Sequence, residues 1–363
     1  MNHYYLLGRS GLRVSRLALG TMNFGTGGFH AAYGRTEAEA EPIFRRYLEA
    51  GGNLVDTADF YTAGASERIL GRLIAATGAR ERLVLTSKFT NTVDPVDPNA
   101  SGNGRKHMIR AAEESLRRLG TDYLDLYLLH TWDRITPVEE VVRTFDDLVR
   151  AGKIRYAGLS DVPAWYAARA QSVAEAHALT PMVTVQLPYS LVTRSIEAEF
   201  APMAQSLGLG LSAWSPLGGG LLTGKYRRTA EGLAGAGRLG DGGANHQPVG
   251  DAQWRVVEAL RGVAGELGRS MAQVALNWVV TQPAVGSAVV GASNVEQLDG
   301  NLAALDFEIP RELRSRLDEA STPTAAPPYS MFTPEYQSWI VNPGLGIGDK
   351  PAGYAPPVFN GAA

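Results

Sequence analysis

The sequence predicts an α/β fold in which eight parallel strands close into a (β/α)8 TIM barrel. Short runs rich in leucine and β-branched residues recur along the chain, and each is followed by a segment with helical periodicity. Eight such units over roughly 290 residues suit a closed barrel better than an open doubly wound sheet. No GxGxxG motif follows a predicted strand and opens a helix, so the sequence does not favour a Rossmann sheet.

Each predicted strand is short and ends in polar residues. The strands are predicted at 17–19, 53–55, 83–87, 124–129, 154–159, 182–186, 209–214 and 287–290. The helices are predicted at 37–50, 66–76, 106–119, 137–150, 163–178, 195–206 and 251–281, with another following Asn294. The regular alternation of the two sets indicates a parallel sheet.

Several predicted helix ends carry local signals. Thr36 followed three residues later by Glu39 is typical of a capping box. Pro137 and Pro163 suit the first turn of a helix, where the missing N–H is not needed. Gly120 suits a helix stop, because glycine adopts the left-handed conformation without strain.

Three segments lie outside the repeat. Two short apolar runs at 4–7 and 12–14 flank the turn-like sequence GRSG, which predicts a hairpin before the barrel, plugging one end. A glycine-rich stretch at 216–250 is predicted to be too flexible for a core element and to form a lid over the barrel mouth. The chain is thereby predicted as a single domain, 1–363, with a hairpin at 1–15, a barrel at 16–305 and a C-terminal helix and tail at 306–363.

The tail from residue 321 combines many prolines with aromatic residues. Proline stops regular structure, whereas exposed aromatic rings are costly in water, so we expect an ordered tail that lies on the barrel. A partly disordered terminus is the alternative.

Composition excludes several classes of function. A net charge of −3 and the absence of a clustered basic run argue against nucleic acid as a partner. The chain has no cysteine, which excludes disulfides and thiolate catalysis and fits a reducing compartment. Its six histidines form no ligand-spaced pair, so no metal site is predicted. We expect no signal peptide and no membrane span, and hence a cytoplasmic protein.

Polar residues stand at the ends of three consecutive predicted strands. The second strand leads to Asp56, the third to Lys88 and the fourth to His130. Active sites of such barrels lie at the C-terminal ends of the strands, and neighbouring strands are about 4.8 Å apart. Tyr61, five residues beyond Asp56, can reach the same point, so these four side chains are predicted to converge.

Each of the four residues also has a purely structural explanation. A strand-end Asp is commonly a turn former, a Lys a solvated charge and a His a hydrogen-bonded core residue. The prediction of a catalytic site depends on all four meeting at one mouth.

Six short motifs and one glutamine occur in a specific order and spacing. They are DTADFY at 56–61, GASE at 64–67, LG at 70–71, TSK at 86–88, YLDLYLLH at 123–130, GLS at 158–160 and Gln186. This pattern, spread from about Gly11 to Asn301, resembles the aldo-keto reductase superfamily, nearest the branch of potassium-channel β subunits and bacterial broad-specificity reductases. The resemblance implies a (β/α)8 fold with a hairpin at the barrel bottom, an extended nicotinamide cofactor, and a catalytic tetrad of Asp56, Tyr61, Lys88 and His130.

The chemistry of carbonyl reduction suits these residue types. A carbonyl that accepts hydride at carbon develops alkoxide charge on oxygen and needs a proton donor. Tyrosine has a pKa of ~10, and we expect Lys88 to lower it by favouring the anion. Asp56 would hold Lys88 charged and in place, and His130 would hydrogen-bond and orient the carbonyl oxygen.

The resemblance also assigns residues near the nicotinamide. Ser160 and Gln186 match positions that bind the carboxamide, and Asp161 stands where an asparagine is more usual. Trp214 matches the aromatic residue on which the nicotinamide stacks, with a core tryptophan as the alternative.

The remaining cofactor positions are also implied by the resemblance. Thr21 and Met22 follow the first strand and fit positions that line the nicotinamide end. The string PLGGGLLTGKY at 216–226 resembles the lid of the channel-β branch, in which loop amides, the lysine (Lys225) and a later arginine (Arg238) contact the pyrophosphate. The loop positions assigned here are Ser215, Pro216, Leu217 and Gly219.

The same loop contains a GxxxxGK string that ends at Lys225. Tyr226 occupies the place of the magnesium-binding Ser or Thr, and no helical run follows at once. A P-loop is therefore rejected, and glycine density is explained by close approach to phosphates.

The segment after the eighth strand is predicted to hold the adenosine end, through Gly291, Ser293, Gln297 and Asn301. Many relatives carry a Lys or Arg here for the 2′-phosphate, whereas this chain has Ser293. NADP(H) is favoured and NAD(H) possible, with Lys225 and Arg238 as sources of positive charge.

The predicted function is an NADP(H)-dependent reductase of a small carbonyl compound. The alternatives are a cofactor-binding regulatory subunit with incidental catalysis, and an NAD-linked dehydrogenase acting on a sugar alcohol. The candidate pocket residues are apolar or aromatic: Met22, Phe24, Phe29, Tyr33, Phe60, Phe89, Trp132 and the tail at 329–339.

Overall fold

Residues 1, 3–28, 33–229, 232–239, 249–333, 336, 339 and 340 are described by the computed structural model. Eight parallel strands close into a barrel, which confirms the predicted fold class. The barrel strands in chain order are β3 (Leu17–Gly20), β4 (Leu54–Asp56), β5 (Val84–Phe89), β6 (Leu124–Leu129), β7 (Ile154–Ser160), β8 (Met182–Pro188), β9 (Gly210–Trp214) and β12 (Val285–Val290). Two antiparallel pairs lie outside the barrel: β1 (Tyr4–Leu6) with β2 (Arg13–Ser15), and β10 (Arg227–Thr229) with β11 (Gly232–Ala234).

Helices cover the outside of the barrel. They are α1 (Glu37–Glu49), α2 (Ala65–Thr77), α3 (Arg105–Leu119), α4 (Val138–Arg150), α5 (Ala164–Ala176), α6 (Phe200–Leu207), α7 (Asp251–Leu267), α8 (Met271–Val280), α9 (Val295–Leu302) and α10 (Arg311–Ser321). The Thr36–Glu39 capping box is present, whereas Pro137 and Pro163 precede the first helical residue rather than occupying it.

The helix predicted over 251–281 is two helices. Gly268 ends α7 with a φ of 60°, and Ser270 begins α8 with its own capping box to Gln273. The helix predicted over 195–206 begins as one 3₁₀ turn, Ser195–Glu197, before α6. A glycine in the left-handed conformation and a new N-cap outweigh the continuous apolar periodicity of 251–281.

The N-terminal hairpin closes the bottom of the barrel, as predicted. Leu7 is fully buried in a cluster with side chains from the early parts of the strands, among them Leu54, Val84 and Val183. Gly8 has a φ of 58°, and a Cβ there would lie 2.4 Å from the carbonyl oxygen of Val183. Only glycine permits this approach of the hairpin turn to the barrel.

The glycine-rich segment is more ordered than the sequence predicts. It begins with a 3₁₀ turn, Gly218–Thr223, and continues into the β10–β11 hairpin. Leu221, Leu222 and Tyr226 are buried in the main core, so the expectation of a segment without core residues is wrong for this part. Residues 230–231 and 240–248 lie outside the described residues.

The expected burial of the tail aromatics is wrong where the structure describes them. Phe332 is 60% exposed and Trp339 is 68% exposed. Tyr329 is half-buried and its hydroxyl contacts Glu199, beside α6. Prolines at 323, 327 and 328 follow the end of α10, and the chain continues as a turn and the short 3₁₀ segment Tyr329–Met331, so the rings have no continuous face to place on the barrel. Among the described helices, none is both long and apolar enough to cross a membrane.

Candidate active site

Asp56, Tyr61 and Lys88 meet at the C-terminal mouth of the barrel. Asp56 ends β4 and pairs with Thr86 of β5, so that Lys88, two residues further, points into the same mouth. Lys88 Nζ lies 2.5 Å from Asp56 Oδ1 and donates to the carbonyl oxygen of Thr57 at 2.9 Å. It also lies 3.2 Å from the hydroxyl of Tyr61. The predicted convergence of these three residues is therefore present in the structure.

Tyr61 reaches the mouth through an unusual turn. Thr62 and Ala63, which follow it, both have positive φ values, 48° and 56°. The hydroxyl of Thr62 donates to the carbonyl oxygen of Phe24 at 2.6 Å and so contributes to holding this strained turn. The turn returns the chain into α2 while the Tyr61 ring stays buried beside Lys88.

The electrostatics of the pair Tyr61 and Lys88 differ in part from the expectation. Burial raises the pKa of Tyr61, and the opposing effect of Lys88 does not cancel it. Burial acts to lower the pKa of Lys88, but Asp56 and Tyr61 together hold that pKa above its ordinary value. The expected net lowering of the Tyr61 pKa is thus wrong, because desolvation of the phenolate is the larger effect.

His130 follows β6, beside the Tyr61 ring. The two ring centroids are 5.7 Å apart at 78°, and Phe60 lies 5.2 Å from His130. The backbone N–H of His130 donates to the carbonyl oxygen of Phe89 at 2.9 Å, which fixes its position on the barrel rim. Asp56, Tyr61, Lys88 and His130 therefore share one mouth.

A buried ionic network lies behind Lys88. Glu67 on α2 accepts a hydrogen bond from the Ser87 hydroxyl at 2.5 Å and forms an ion pair with Arg118 at 2.6 Å. Asp59 is buried nearby, and burial together with Glu67 raises its pKa well above its ordinary value. Sequence reasoning missed this network. Glu67 stood in one of the quoted motifs, but Arg118 is 51 residues away and carried no signal.

The residues predicted for the carboxamide lie at adjacent strand ends. Ser160 of β7 pairs in register with Gln186 of β8, and both are buried. The Gln186 amide donates to Asp56 Oδ2 at 2.8 Å, a contact that the sequence did not suggest. Asp161 accepts a hydrogen bond from the Trp214 indole at 3.0 Å. The Trp214 ring is therefore held at the end of β9, where it is half-buried and not part of the fully buried core.

The loop after β9 has the backbone that the phosphate prediction needs. Ser215 and three consecutive glycines from Gly218 have positive φ values between 52° and 95°. A Cβ at Gly220 would lie 3.0 Å from the Lys225 side chain, and one at Gly237 would lie 2.4 Å from Lys225 Nζ. The ammonium of Lys225 thus packs directly on this glycine loop. Small residues and a cation are the chemistry that suits a pyrophosphate.

Four loop positions assigned to the cofactor differ in their exposure. Pro216 is buried, whereas Ser215, Leu217 and Gly219 are half-buried. The Ser215 hydroxyl accepts from the Gly219 amide at 3.2 Å, which ties the start of the loop together.

The residues predicted for the adenosine end lie between β12 and α9. Ser293 N–H donates to Gln297 at 2.9 Å, and Asn301 donates to the carbonyl oxygen of Gly291 at 3.4 Å. These contacts shape the loop and the start of α9.

Arg35 is a cation at this end that sequence reasoning missed. Its Nε donates to the carbonyl oxygen of Ser293 at 3.1 Å. The two residues are 258 positions apart, so nothing local indicated the contact. The guanidinium of Arg238 lies 4.8 Å from the centre of the Tyr33 ring.

Thr21 and Met22 follow β3 as predicted. Thr21 is fully buried, and its hydroxyl donates to the carbonyl oxygen of Asp56 at 3.1 Å and contacts Ser66 at 2.9 Å. Its side chain therefore supports the end of β4. Met22 is half-buried at the mouth.

Two predicted pocket residues belong to the core. Phe89 is fully buried and stacks on Tyr127 at 5.1 Å, because it alternates with the inward-pointing Lys88 and so faces the helices. Phe24 is also fully buried in the core cluster. Both assignments to the pocket are therefore wrong.

The other two assigned pocket residues lie near the mouth. Phe60 is half-buried against the rings of Tyr61 and His130. Trp132 follows His130 by two residues and contacts Trp165 and Tyr166 on α5. Phe29 lies outside the described residues.

No group of three metal-ligating side chains exists among the described residues.

Comparison with known proteins identifies the family of the chain. A model of the aldo/keto reductase family matches residues 16–322. The uncharacterized oxidoreductase YrpG of Bacillus subtilis is 37% identical over 346 residues, covering 93% of this chain and 99% of that protein. The norsolorinic acid reductase stcV of Emericella nidulans is 36% identical, covering 85% of this chain and 79% of that protein. A probable voltage-gated potassium channel subunit beta of Oryza sativa subsp. japonica is 36% identical, covering 84% of this chain and 91% of that protein. With the closed barrel and the residues at its mouth, these matches show that the chain belongs to the aldo/keto reductase family.

Proposed function

We propose that this protein is an NADP(H)-dependent reductase that converts an aldehyde or ketone to an alcohol, with Tyr61 as the proton donor. Membership of the aldo/keto reductase family supports a carbonyl-reducing oxidoreductase that uses a nicotinamide cofactor. The observation that carries the proposal is the buried chain of contacts from Asp56 through Lys88 to the Tyr61 hydroxyl.

The tetrad residues take complementary parts in the proposed reaction. A bound nicotinamide cofactor supplies the hydride. Tyr61 is protonated at neutral pH, since burial raises its pKa, and it delivers that proton to the oxygen as alkoxide charge develops. Lys88, 3.2 Å away, stabilises the phenolate that remains. His130, whose ring centroid lies 5.7 Å from that of Tyr61, orients the carbonyl oxygen.

Asp56 acts through Lys88. A buried ammonium without a partner would lose its proton readily, and Asp56 at 2.5 Å prevents this. The carboxylate also fixes Lys88 in the direction of Tyr61, because its second oxygen is anchored by Gln186.

The same mouth supports an extended cofactor. We assign Ser160 and Gln186 to the carboxamide, Trp214 to stacking on the nicotinamide ring, and Lys225 with its glycine loop to the pyrophosphate. Trp214 is fixed by its hydrogen bond, and Lys225 lies against Gly220 and Gly237.

NADP(H) rather than NAD(H) is the proposed cofactor because of the positive charge near the adenosine end. Ser293 itself is neutral, but Arg35 lies against it at 3.1 Å. Arg238 and Lys225 add two further cations from the glycine-rich segment. Isothermal titration with NADPH and NADH tests this choice: we expect tighter binding of NADPH, and a reduction of that preference in Arg35→Met. Equal affinity for both cofactors would refute it.

The substrate is proposed to be a small carbonyl compound in a pocket lined by Phe60 and Trp132. Their rings lie beside His130 and on the rim of the mouth. A reaction screen should therefore include aromatic ketones, aliphatic aldehydes and keto-sugars. One relative is named a norsolorinic acid reductase, which makes the aromatic ketones the first choice.

Tyr61→Phe tests the proposed proton donor. It removes one hydroxyl and keeps the ring beside Phe60 and His130. We expect turnover with NADPH to fall at least a thousandfold while the affinity for NADPH changes less than threefold. Unchanged turnover in this variant would overturn the assignment of Tyr61.

A cofactor-binding regulatory subunit is the second candidate, favoured by the similarity to the rice channel subunit. The two functions are separated by turnover of the natural protein with a generic aldehyde and NADPH. Sustained turnover supports the enzyme, whereas cofactor binding with near-zero turnover supports the regulatory role.

We further propose that hairpin, barrel and tail form one domain and that the protein works in the cytoplasm. Leu7 inside the barrel base supports the first point, and the absence of cysteine supports the second.

A further inference from the structure

Asp161 connects three strand ends at the mouth of the barrel. It is the first residue after β7, and its φ of 44° is a conformation that a residue with a side chain rarely adopts. Its backbone N–H donates to the backbone carbonyl oxygen of Gln186, on β8, at 3.2 Å. Its own carbonyl oxygen accepts from the backbone N–H of Trp132, which follows β6, at 3.3 Å. Its carboxylate accepts from the Trp214 indole at 3.0 Å. The carboxylate is therefore held in one place by the surrounding strands.

The position of this carboxylate relative to the reacting groups follows from the contacts. The backbone carbonyl of Gln186 accepts from the Asp161 N–H, and the side-chain amide of Gln186 donates to the carboxylate of Asp56. The Asp161 carboxylate accepts from the indole N–H of Trp214, the proposed stacking partner of the nicotinamide ring, at 3.0 Å. The effect of Lys88 on the pKa of Asp161 and that of Asp161 on the pKa of Tyr61 agree with this position. A ring that passes hydride to a carbon whose oxygen is held by Tyr61 must lie in this same space. Asp161 is thus an acid next to the proposed ring position.

We propose that the Asp161 carboxylate sets the redox preference of the bound nicotinamide, by binding the oxidised ring more tightly than the reduced ring. This proposal rests on the proposed function. The oxidised ring carries a positive charge and the reduced ring is neutral, so a fixed carboxylate attracts only the oxidised form. An asparagine in the same place offers a carbonyl oxygen to Trp214 but no charge.

The proposed preference favours carbonyl reduction on the enzyme. A site that stabilises the oxidised ring makes the bound reduced ring a stronger hydride donor, by the ratio of the two affinities. Asp161 would thereby bias the direction of the reaction without touching the substrate.

Protonation of Asp161 removes its negative charge and should therefore abolish the preference for the oxidised ring. Burial raises the pKa of this carboxyl to about 6, with opposing contributions from Trp214 and Lys88. The titratable groups at the same mouth are Asp56 on β4, Lys88 on β5, Tyr61 after β4 and His130 after β6. The contacting residues of β8 and β9, Gln186 and Trp214, are neutral.

The experiment measures the dissociation constants of NADP⁺ and NADPH by isothermal titration from about pH 5 to about pH 8. The 2′-phosphate is present in both ligands, so its own titration cancels in the ratio of the two constants. In the natural protein we expect NADP⁺ to gain about tenfold relative to NADPH as Asp161 ionises. In Asp161→Asn the ratio should stay within twofold over the same range. Asp122→Asn, an exposed position away from the mouth, should behave as the natural protein.

Trp214→Phe provides a second, independent variant. It keeps a flat ring for stacking and removes the indole N–H that favours the Asp161 anion. We expect the midpoint of the affinity change to move to higher pH, because the carboxyl loses a donor. An unmoved midpoint would contradict the role of this hydrogen bond.

The possible outcomes separate this inference from the proposed function. Failure of both cofactor forms to bind would refute the proposed function. Binding with a pH-independent ratio in the natural protein would leave that function standing and overturn the role of Asp161. A pH-dependent ratio that persists in Asp161→Asn would assign the effect to another group and also overturn the role of Asp161.

Discussion

Gln186 donates its side-chain amide to the Oδ2 atom of Asp56 across the barrel mouth, at 2.8 Å. The two residues are 130 positions apart and stand on β4 and β8. Lys88 occupies the other carboxylate oxygen at 2.5 Å, so both oxygens of Asp56 are held. The direction in which Lys88 approaches Tyr61 therefore depends on a residue that the sequence assigned only to the cofactor.

Gln186→Met tests this positioning role. Methionine fills similar volume but cannot donate to Asp56, so the carboxylate and Lys88 gain freedom to move away from Tyr61. We expect kcat for carbonyl reduction to fall about tenfold to a hundredfold, in proportion to the loss of about 1.5–3 kcal/mol for a hydrogen bond to a charged group. The pH profile of kcat should shift as well, which a loss of cofactor contact alone would not produce. A change confined to the KM for NADPH would contradict the role.

The buried ion pair of Lys88 and Asp56 predicts a non-additive double mutant. Lys88→Met leaves Asp56 buried without its cation, and we expect the free energy of unfolding to fall by about 3–5 kcal/mol. Adding Asp56→Asn should restore part of this loss, since the uncompensated charge is removed. Urea unfolding of the two single variants and the double variant measures the coupling. Simple additivity of the two effects would show that the pair is not coupled.

Phe60 and Phe89 allow a matched comparison between a proposed pocket residue and a core residue. Phe89→Leu should lower the free energy of unfolding by about 1–2 kcal/mol, because its ring is packed on Tyr127, and leave the ranking of substrates unchanged. Phe60→Leu should change the KM values of aromatic substrates several-fold, since its ring faces Tyr61 and His130. A changed substrate ranking in Phe89→Leu would restore that residue to the pocket.

The raised pKa of Asp161 predicts a pH-dependent stability. Its value in the folded protein is about 6, against 3.8 as the ordinary value, so the unfolded chain releases this proton first as pH rises. Stability from this group is therefore complete below about pH 4 and is lost as the pH rises through about 6. At pH 8, the free energy of unfolding of Asp161→Asn should exceed that of the natural protein by about 2–3 kcal/mol. At pH 5 this gain should be smaller by roughly 1 kcal/mol. Urea unfolding at the two pH values checks this, and a gain that does not vary with pH would contradict it.

The barrel itself was predictable because its signals are local. A strand such as β6, Leu124–Leu129, has its predicted bounds, and capping at Thr36 depends on residues three positions apart. The break between α7 and α8 was missed because the apolar spacing continues across it, although Gly268 and Ser270 carried the signal.

The identity of Asp56, Lys88 and His130 followed from their places at strand ends. A parallel barrel brings all its strand ends to one face, so order along the chain was enough to bring these residues together. Side-chain direction was also implicit: Lys88 faces inward, and Phe89 must therefore face outward. Naming Phe89 as a pocket residue overlooked this alternation.

Only the tertiary structure decided which polar groups contact each other across the mouth. The contacts between Gln186 and Asp56, Arg35 and Ser293, and Arg118 and Glu67 join residues 130, 258 and 51 positions apart. The sign of the Tyr61 pKa shift was also decided there, since it is a balance between burial and one nearby ammonium. The sequence by itself determined the barrel and the residues at its mouth, because periodicity and strand order are properties of neighbouring positions. Distances, burial and net electrostatic effects required the closed barrel, because they arise between residues that only folding brings together.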